Sequence, residues 1–159
     1  MLKFNSNGLL IPNTNIISSV TELKQHFVDA IPSETRSANF EKYIRYSDAL
    51  KKVVGENPLR QWINGSFVTR LANPHDIDLI TFIDHNIITR LGHQLDDFGA
   101  KGAESIYGVD AYIMEMYPED HEKYFFSKSD EAYWMDRFDK TRRDISGKKH
   151  PKGFLEIIY

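Results

Sequence analysis

The sequence contains no cysteine among its 159 residues. Disulfide bonds, thiol catalysis and thiolate metal ligands are therefore excluded, and any metal ion must be held by oxygen or imidazole ligands. No apolar run approaches the roughly 20 residues that a membrane-spanning helix needs. The first twelve residues also lack the basic and then apolar pattern of a secretion signal. We therefore expect a cytoplasmic protein.

Internal repeats, low-complexity tracts and flexible linker segments are also missing, so the sequence predicts one domain over residues 1–159. The net charge of −3 argues against a broad, non-specific grip on nucleic acid. One local basic run is the exception, and it is either a solvated surface or a contact for a polyanion. Its cations are Lys140, Arg142, Arg143, Lys148, Lys149 and Lys152.

Hydrophobic periodicity predicts an order of helix, helix, strand, strand, helix, strand, helix, strand, which is typical of an α+β or mixed α/β fold with a small mixed sheet flanked by helices. Ser19 is a suitable N-cap for the first helix, and Gly55 is placed to end the second. The other two helices are predicted over residues 85–99 and 119–138. The predicted strands cover residues 59–63, 76–84, 105–118 and 153–159.

Asp76 and Asp78 are unexpected in a segment that otherwise reads as a buried strand. An ionised carboxylate is costly there unless it is exposed, paired or bound to a cation. Side chains alternate along a strand, so we expect both carboxylates on one face, where they could share a hard cation such as Mg²⁺ or Mn²⁺. Asp110, in the middle of the next predicted strand, would add a third carboxylate; Glu104 and Glu115 are the alternatives for that place.

Gly65 and Ser66 precede the two aspartates. Glycine permits unusual φ values and close backbone approach, and a serine at a turn offers its N–H and its hydroxyl, so this turn is a candidate seat for a phosphate group. Asn64 and Gly65 also match a two-residue hairpin signal. Carboxylates beside a phosphate seat suit phosphoryl or nucleotidyl transfer, and one carboxylate can accept the proton of the attacking hydroxyl.

The six histidines show no spacing typical of a metal site, although His75 could touch the carboxylates. Three aromatic residues, Tyr107, Tyr112 and Trp134, could stack on a nucleobase, but core packing is the more common role for such side chains.

Taken together, "INGSFVTRLANPHDIDLITF" and "GVDAYIM" resemble the signature of the DNA polymerase beta-type nucleotidyltransferase superfamily. Across most of the chain, the segments "FNSNGLLIP", "WINGSFVT", "DIDLITF" and "TRRDISGKKHPKGFLEIIY" resemble a prokaryotic family of small stand-alone nucleotidyltransferase-like proteins. The resemblance implies a minimal nucleotidyltransferase fold and a nucleoside triphosphate (NTP) as substrate.

The resemblance also implies individual roles. Gly65 and Ser66 would bind the triphosphate, and Asp76, Asp78 and Asp110 would hold Mg²⁺ or Mn²⁺, with Asp110 as the base. The superfamily pattern has an arginine at the third position beyond the serine, where this chain has Thr69. We expect Arg70 to take its place, or Lys152 and Arg143 to fold back from the C-terminal segment.

The leading hypothesis is therefore a nucleotidyltransferase that moves an NMP from an NTP to a hydroxyl of a protein, an RNA 3′ end or a small molecule. A toxin–antitoxin or phage-defence module is the setting that the resemblance suggests, with a toxin or antitoxin protein or tRNA as partner. The alternative is a catalytically silent, antitoxin-like or regulatory binding protein with a vestigial nucleotide site. The oligomeric state stays open.

Overall fold

Seven strands and five α-helices lie along residues 2–159, the part of the chain that the computed structural model describes. A mixed five-stranded sheet is packed against helices, and a two-stranded sheet accompanies it, which confirms the α+β fold class. The strands are β1 (Lys3–Phe4), β2 (Leu10–Ile11), β3 (Asn15–Ser18), β4 (Arg60–Asn64), β5 (Asp78–Asp84), β6 (Asp110–Met116) and β7 (Phe154–Ile158). The helices are α1 (Val20–Lys24), α2 (Arg36–Val53), α3 (His85–Leu91), α4 (Ala100–Gly102) and α5 (Tyr124–Phe138).

The large sheet has the strand order β3-β7-β4-β5-β6. Strand β5 runs parallel to β6, and β4 runs antiparallel to both of its neighbours, β5 and β7. The chain segments with the predicted site residues therefore become neighbours in β4, β5 and β6. Because β6 lies beside β5, Asp110 is close enough to Asp78 to act as the third carboxylate that the sequence predicts.

The two faces of the sheet bury alternate residues of each strand, as strand geometry requires. Leu79 and Ile83 of β5 belong to the larger core, which includes the buried face of α2. Ile80 and Phe82 point to the opposite face and join a smaller core with Trp62 and, from α5, Phe138. Asp78 has the same parity as Ile80, so it lies on the face that α5 covers.

Strand β5 begins at Asp78, so the prediction that Asp76 lies in the same strand is wrong. The carbonyl oxygens of Pro74 and His75 accept hydrogen bonds from Asn39 Nδ2, at 3.0 and 3.2 Å, and not from a neighbouring strand. Asp76 therefore belongs to the connection between β4 and β5. That connection spans residues 65–77, so the two-residue hairpin alternative at Asn64 and Gly65 is also wrong.

Asp110 is the first residue of β6, whereas the sequence placed it in the middle of a strand over residues 105–118. Residues 103–107 form a turn of π-helix that ends at Gly108, whose φ of 71° is left-handed. The aromatic residue that suggested a strand here, Tyr107, packs instead against the ring of Phe98 at a centroid distance of 5.5 Å.

Smaller differences concern the ends of elements. The first predicted helix is α1 followed by a π-helical turn over Gln25–Asp29, and α5 begins at Tyr124 and not at residue 119. Strands β1 to β3 were not predicted. In the described part of the chain, no helix combines the length and the apolarity needed to cross a membrane. The single domain over residues 1–159 stays a prediction, and Met1 lies outside the described residues.

Candidate functional site

Three polar residues lie side by side at the same end of three adjacent strands. The register pairs Asn64, the last residue of β4, with Asp78, and it pairs Asp78 with Asp110. Neighbouring strands lie about 4.8 Å apart, so the two carboxyl groups are close neighbours. The structure thus brings two of the three predicted carboxylates together on adjacent strands, and the first residue of each strand supplies them.

Burial, and after it the negative charges of Asp76 and Asp110, raise the pKa of Asp78 to about 6. The positive charge of Arg142 opposes this shift. The side chain of Asp76 is 42% exposed, and its Oδ2 lies 3.5 Å from His75 Nδ1. Asp78 is therefore the crowded centre of an acidic group.

The resemblance implies a divalent cation at this acidic group. Carboxylate oxygens are the ligands that Mg²⁺ and Mn²⁺ prefer, and a cation would offset the repulsion around Asp78. In their present rotamers, no three histidine, aspartate or glutamate side chains within residues 2–159 are grouped closely enough to hold one ion. Asp78 and Asp110 thus offer a pair of carboxylates, the ligand type that these cations prefer, and Asp76 would have to turn toward the ion to complete a set of three.

Gly65 allows the turn after β4 to pass directly over Asp78. Its φ is 74°, and a Cβ atom built there would lie 1.7 Å from Asp78 Oδ2. A side chain at this position would therefore displace the carboxylate. Ser66 then begins a short 3₁₀ turn, and Thr69 Oγ1 donates to its carbonyl oxygen at 2.7 Å.

A cleft of about 640 Å³ opens over these residues. Asn64, Ser66 and the three predicted aspartates lie on one side. The other side is formed by the C-terminal end of α5 and by the segment that leads to β7. The cations that line the cleft come from that side and are Arg137, Lys140, Arg142, Lys149 and Lys152. Asp136 also lines the cleft on that side and lies 2.6 Å from Lys140 Nζ, so a mainly basic wall faces the acidic wall across one cavity.

Lys152 reaches the acidic wall most closely. Its side chain is 4% exposed, and its Nζ donates to Asn64 Oδ1, next to Asp78 in the register. Burial lowers the pKa of Lys152 to about 8, although the negative charge of Asp78 partly opposes this shift. Lys152 therefore lies in the cleft beside Asn64, and its role in binding a phosphate stays a prediction.

The segment before Lys152 forms a loop that we call the basic hairpin, residues 140–151. Lys140 and Pro151 pair as an antiparallel bridge, and Thr141 N–H donates to the carbonyl of His150 at 2.8 Å. At the tip, the Asp144 carboxylate accepts from Ser146 and Lys148 backbone N–H groups and lies 2.8 Å from a His150 ring nitrogen. These hydrogen bonds hold the positively charged lysines and arginines of the basic hairpin together at the mouth of the cleft.

Arg70 does not line the cleft. Its guanidinium lies 4.2 Å from the centre of the Phe4 ring, and its backbone N–H donates to the carbonyl of Gly8 at 3.0 Å. These contacts hold Arg70 against the β1–β2 hairpin, whereas Thr69 beside it does line the cleft. The arginine whose positive charge acts on Asp78 is Arg142, from the basic hairpin.

Comparison with protein-family models adds one result. The model of DUF6932, a family of unknown function, matches residues 2–158. The chain belongs to this family. No curated protein and no solved structure matches the chain. The cleft described above is therefore a candidate site in a member of DUF6932, and its chemistry has to be argued from its own residues.

The remaining sequence candidates divide into two groups. His75, Tyr112 and Trp134 line the cleft, and the rings of Tyr112 and Trp134 have centroids 5.0 Å apart. Neither of the alternative third carboxylates does so: Glu104 lies in the turn before Gly108, and Glu115 lies near the far end of β6.

Sequence reasoning missed Asn64 as a member of the site, and it named Arg142 only as part of a basic run. Asn64 could have been found from its place directly before Gly65, but its hydrogen bond from Lys152 depends on β4 and β7 being neighbours. Arg36 was also missed: it is fully buried in α2 and donates to the carbonyls of Phe67 and Thr69. No local pattern in the sequence marks a buried arginine of this kind.

Proposed function

We propose that this protein is a Mg²⁺- or Mn²⁺-dependent nucleotidyltransferase with a minimal nucleotidyltransferase fold. The observation that carries the proposal is the register of Asn64, Asp78 and Asp110, with the Gly65 turn against Asp78 and a basic wall opposite. The aspartates would complement the positive charge of a divalent cation, and the lysines and arginines would complement the negative charge of the NTP phosphates. The sequence resemblance to the polymerase beta-type superfamily supports the same reaction.

In the proposed reaction a hydroxyl oxygen of the acceptor attacks the α-phosphorus, a new P–O bond forms, and pyrophosphate leaves with the electrons of the broken P–O bond. Asp110 accepts the hydroxyl proton. Asp76, Asp78 and Asp110 would hold the cation, which supplies neutralisation of the phosphate charge. Ser66, Lys152 and Arg142 would bind the β- and γ-phosphates, and Arg142 here takes the role that the sequence assigned to Arg70.

The acceptor is a hydroxyl of a protein, an RNA 3′ end or a small molecule. The basic hairpin at the mouth of the cleft favours an anionic acceptor such as tRNA, because its cations continue outward from the phosphate-binding side. A toxin–antitoxin or phage-defence module is the proposed setting, in which the partner would be a toxin, an antitoxin or tRNA.

A labelling experiment tests the proposal. The protein is incubated with each α-labelled NTP, Mg²⁺ and a cell lysate, and we expect label on a discrete species with one of the four NTPs. Asp78→Asn should abolish the labelling. Asp84→Asn is the matched control, because Asp84 ends the same strand and only accepts from Asn86 N–H at 2.8 Å, a capping role that asparagine retains. Absence of labelling, or labelling by Asp78→Asn, would overturn the proposal.

The second candidate is a regulatory binding protein with a vestigial nucleotide site. It is favoured by Asp76, whose carboxylate is turned toward His75 and does not complete a group of three ligands. Such a protein should co-purify with a partner and keep its effect after Asp76→Ala and Asp78→Ala. For the enzyme, RNase sensitivity of the labelled species would identify an RNA acceptor, and protease sensitivity would identify a protein.

A further inference from the structure

Arg36 is a fully buried guanidinium whose hydrogen bonds all go to main-chain carbonyl oxygens. Nη1 donates to Phe67 at 2.6 Å and to Phe27 at 2.9 Å, Nη2 donates to Thr69 at 2.7 Å, and Nε donates to Leu71 at 3.2 Å. A buried charge is costly unless its donors are satisfied. Arg36 meets this requirement because three alternate carbonyls of one loop converge on it together with the carbonyl of Phe27.

Asn39 lies one helical turn further along α2 and binds the same connection closer to β5. It is 2% exposed, and its Nδ2 donates to the carbonyls of Pro74 and His75. Together the two side chains bind both ends of the connection between β4 and β5. They do so from a helix that is itself anchored in the larger core by residues such as Tyr43 and Leu50.

The residues that these bonds hold are those that face the cleft. Thr69, whose carbonyl binds Arg36, lines the cleft and bonds Ser66, and His75, whose carbonyl binds Asn39, directly precedes Asp76. Residues 69–77 of the connection form no strand of the sheet. Carbonyls in such a segment need other partners, and here α2 supplies them.

We propose that Arg36 and Asn39 are positioning residues for the cleft, which fix the Ser66–Thr69 turn and Asp76 relative to Asp78. The inference deepens the proposed function and rests on it for the identity of the ligand. Neither residue lines the cleft. A lysine cannot replace Arg36, because its three donors diverge from one atom, whereas the planar guanidinium reaches carbonyls in several directions.

Three variants test the inference. Arg36→Lys keeps the charge and loses the spread of donors. Asn39→Ala keeps Arg36 in place and removes the bonds from Asn39 to Pro74 and His75, although Thr35 Oγ1 still donates to the Pro74 carbonyl at 2.8 Å. Tyr43→Phe is the control from the same helix: it removes the buried hydrogen bond of the Tyr43 hydroxyl to Gln61, 2.9 Å long, without touching the connection. All three are first compared by thermal unfolding, so that loss of stability is known for each.

Amide hydrogen exchange of the ligand-free protein is the first measurement. We expect exchange of the hydrogen-bonded amides of Thr69, Arg70 and Leu71 to rise about tenfold or more in Arg36→Lys. In Asn39→Ala, exchange of the Asp110 amide, which donates to the carbonyl of Ile77 at 3.1 Å, should rise similarly, because the segment before β5 loses the buried hydrogen bonds that hold it in place. Tyr43→Phe should leave both segments at the rate of the unaltered protein. Unchanged exchange in a folded Asn39→Ala and a folded Arg36→Lys would overturn the inference.

Mn²⁺ binding, followed by electron paramagnetic resonance with each of the four NTPs, is the second measurement. Arg36→Lys and Asn39→Ala should weaken binding about tenfold. Binding by Tyr43→Phe should stay within about twofold of that by the unaltered protein, even if its melting temperature falls as far as those of the other two variants. Equal weakening in all three variants would overturn the inference, because stability alone would then explain it. If the unaltered protein binds neither Mn²⁺ nor an NTP, the proposed function is wrong, and the exchange experiment decides the inference alone.

Discussion

Two carboxylates on the same face of the sheet have opposite surroundings. Glu156 of β7 accepts hydrogen bonds from Asn15 Nδ2 at 2.7 Å, Trp62 Nε1 at 2.8 Å and Arg60 Nε at 3.0 Å. Burial opposes the charge of Glu156, but these donors together hold its pKa below the usual range. Asp78 of β5 has other carboxylates as neighbours, and its pKa is raised.

The comparison teaches how a structural carboxylate differs from a candidate functional one. Hydrogen-bond donors inside the protein compensate the charge of Glu156. The neighbouring carboxylates of Asp78 instead raise the free-energy cost of ionising it. A fold that keeps such an arrangement stores unfavourable free energy that a bound cation can release. The predictions that follow test this difference, beginning with the largest expected effect.

Glu156→Ala should lower the free energy of unfolding by about 2–4 kcal/mol, because it leaves the donors of Asn15, Arg60 and Trp62 without their shared acceptor. Urea unfolding at neutral pH measures the loss. Glu131→Ala is the matched control: Glu131 also pairs with Arg60, at 3.2 Å, but has only that partner among the ion pairs described and should cost less than about 1 kcal/mol. Equal losses would remove the contrast between Glu156 and an ordinary ion pair.

Gly65→Ala should cost about 2–3 kcal/mol, since it combines a left-handed φ with displacement of the Asp78 carboxylate. In an Asp78→Ala background the cost should fall to about 1 kcal/mol, because only the backbone strain is left. A double-mutant cycle by urea unfolding measures the coupling. Simple additivity of the two substitutions would show that the turn does not press on Asp78.

Asp78→Asn should raise the free energy of unfolding by about 1–2 kcal/mol at pH 7 in the presence of a chelator. The folded-state pKa of Asp78 is above its ordinary value of 3.8, so its ionisation destabilises the fold as the pH rises from that value through about 6. The gain should therefore disappear below about pH 4. Thermal unfolding from pH 3 to pH 8 measures it, and a less stable variant at pH 7 would contradict the assignment of Asp78 as an uncompensated charge.

Arg142→Gln should weaken NTP binding about tenfold and change the free energy of unfolding by less than about 0.5 kcal/mol, since the residue is exposed. Arg70→Gln should do the reverse: binding unchanged within about twofold, and a loss of about 0.5–1 kcal/mol from its contact with Phe4. Isothermal titration and thermal unfolding of both variants measure the pair. Weaker binding in Arg70→Gln alone would return the phosphate role to Arg70.

The predicted fold class and most elements could be read from local patterns. Helix α2 and the terminal strand β7 follow from apolar spacing and from β-branched residues, and the structure confirms both. The errors at Asp76 and Asp110 have a common origin: Asp76 was assigned to the start of a strand and Asp110 to the middle of one, but the backbone groups before each observed strand bind elsewhere. Asn39 takes the carbonyls before Asp76, and Gly108 ends a helical turn before Asp110.

The site was predicted in its acidic half and only partly in its basic half. Acidic residues beside apolar ones are unusual enough to be noticed in a sequence, because their cost is local. A basic run is common on protein surfaces, so nothing local separates Arg142 and Lys152, which face the cleft, from Arg143, whose Nη1 donates to the carbonyl of Gly147 at 2.8 Å.

The sequence by itself determined most of the elements, the acidic residues and the glycine that any such turn requires, because these depend on spacing along the chain. Only the tertiary structure decided which cations face Asp78, that Arg70 lies against Phe4, and that α2 holds the connection before β5. Each of these depends on contacts between distant segments, such as Lys152 with Asn64. Strand order and packing set those contacts, and spacing along the chain does not record them.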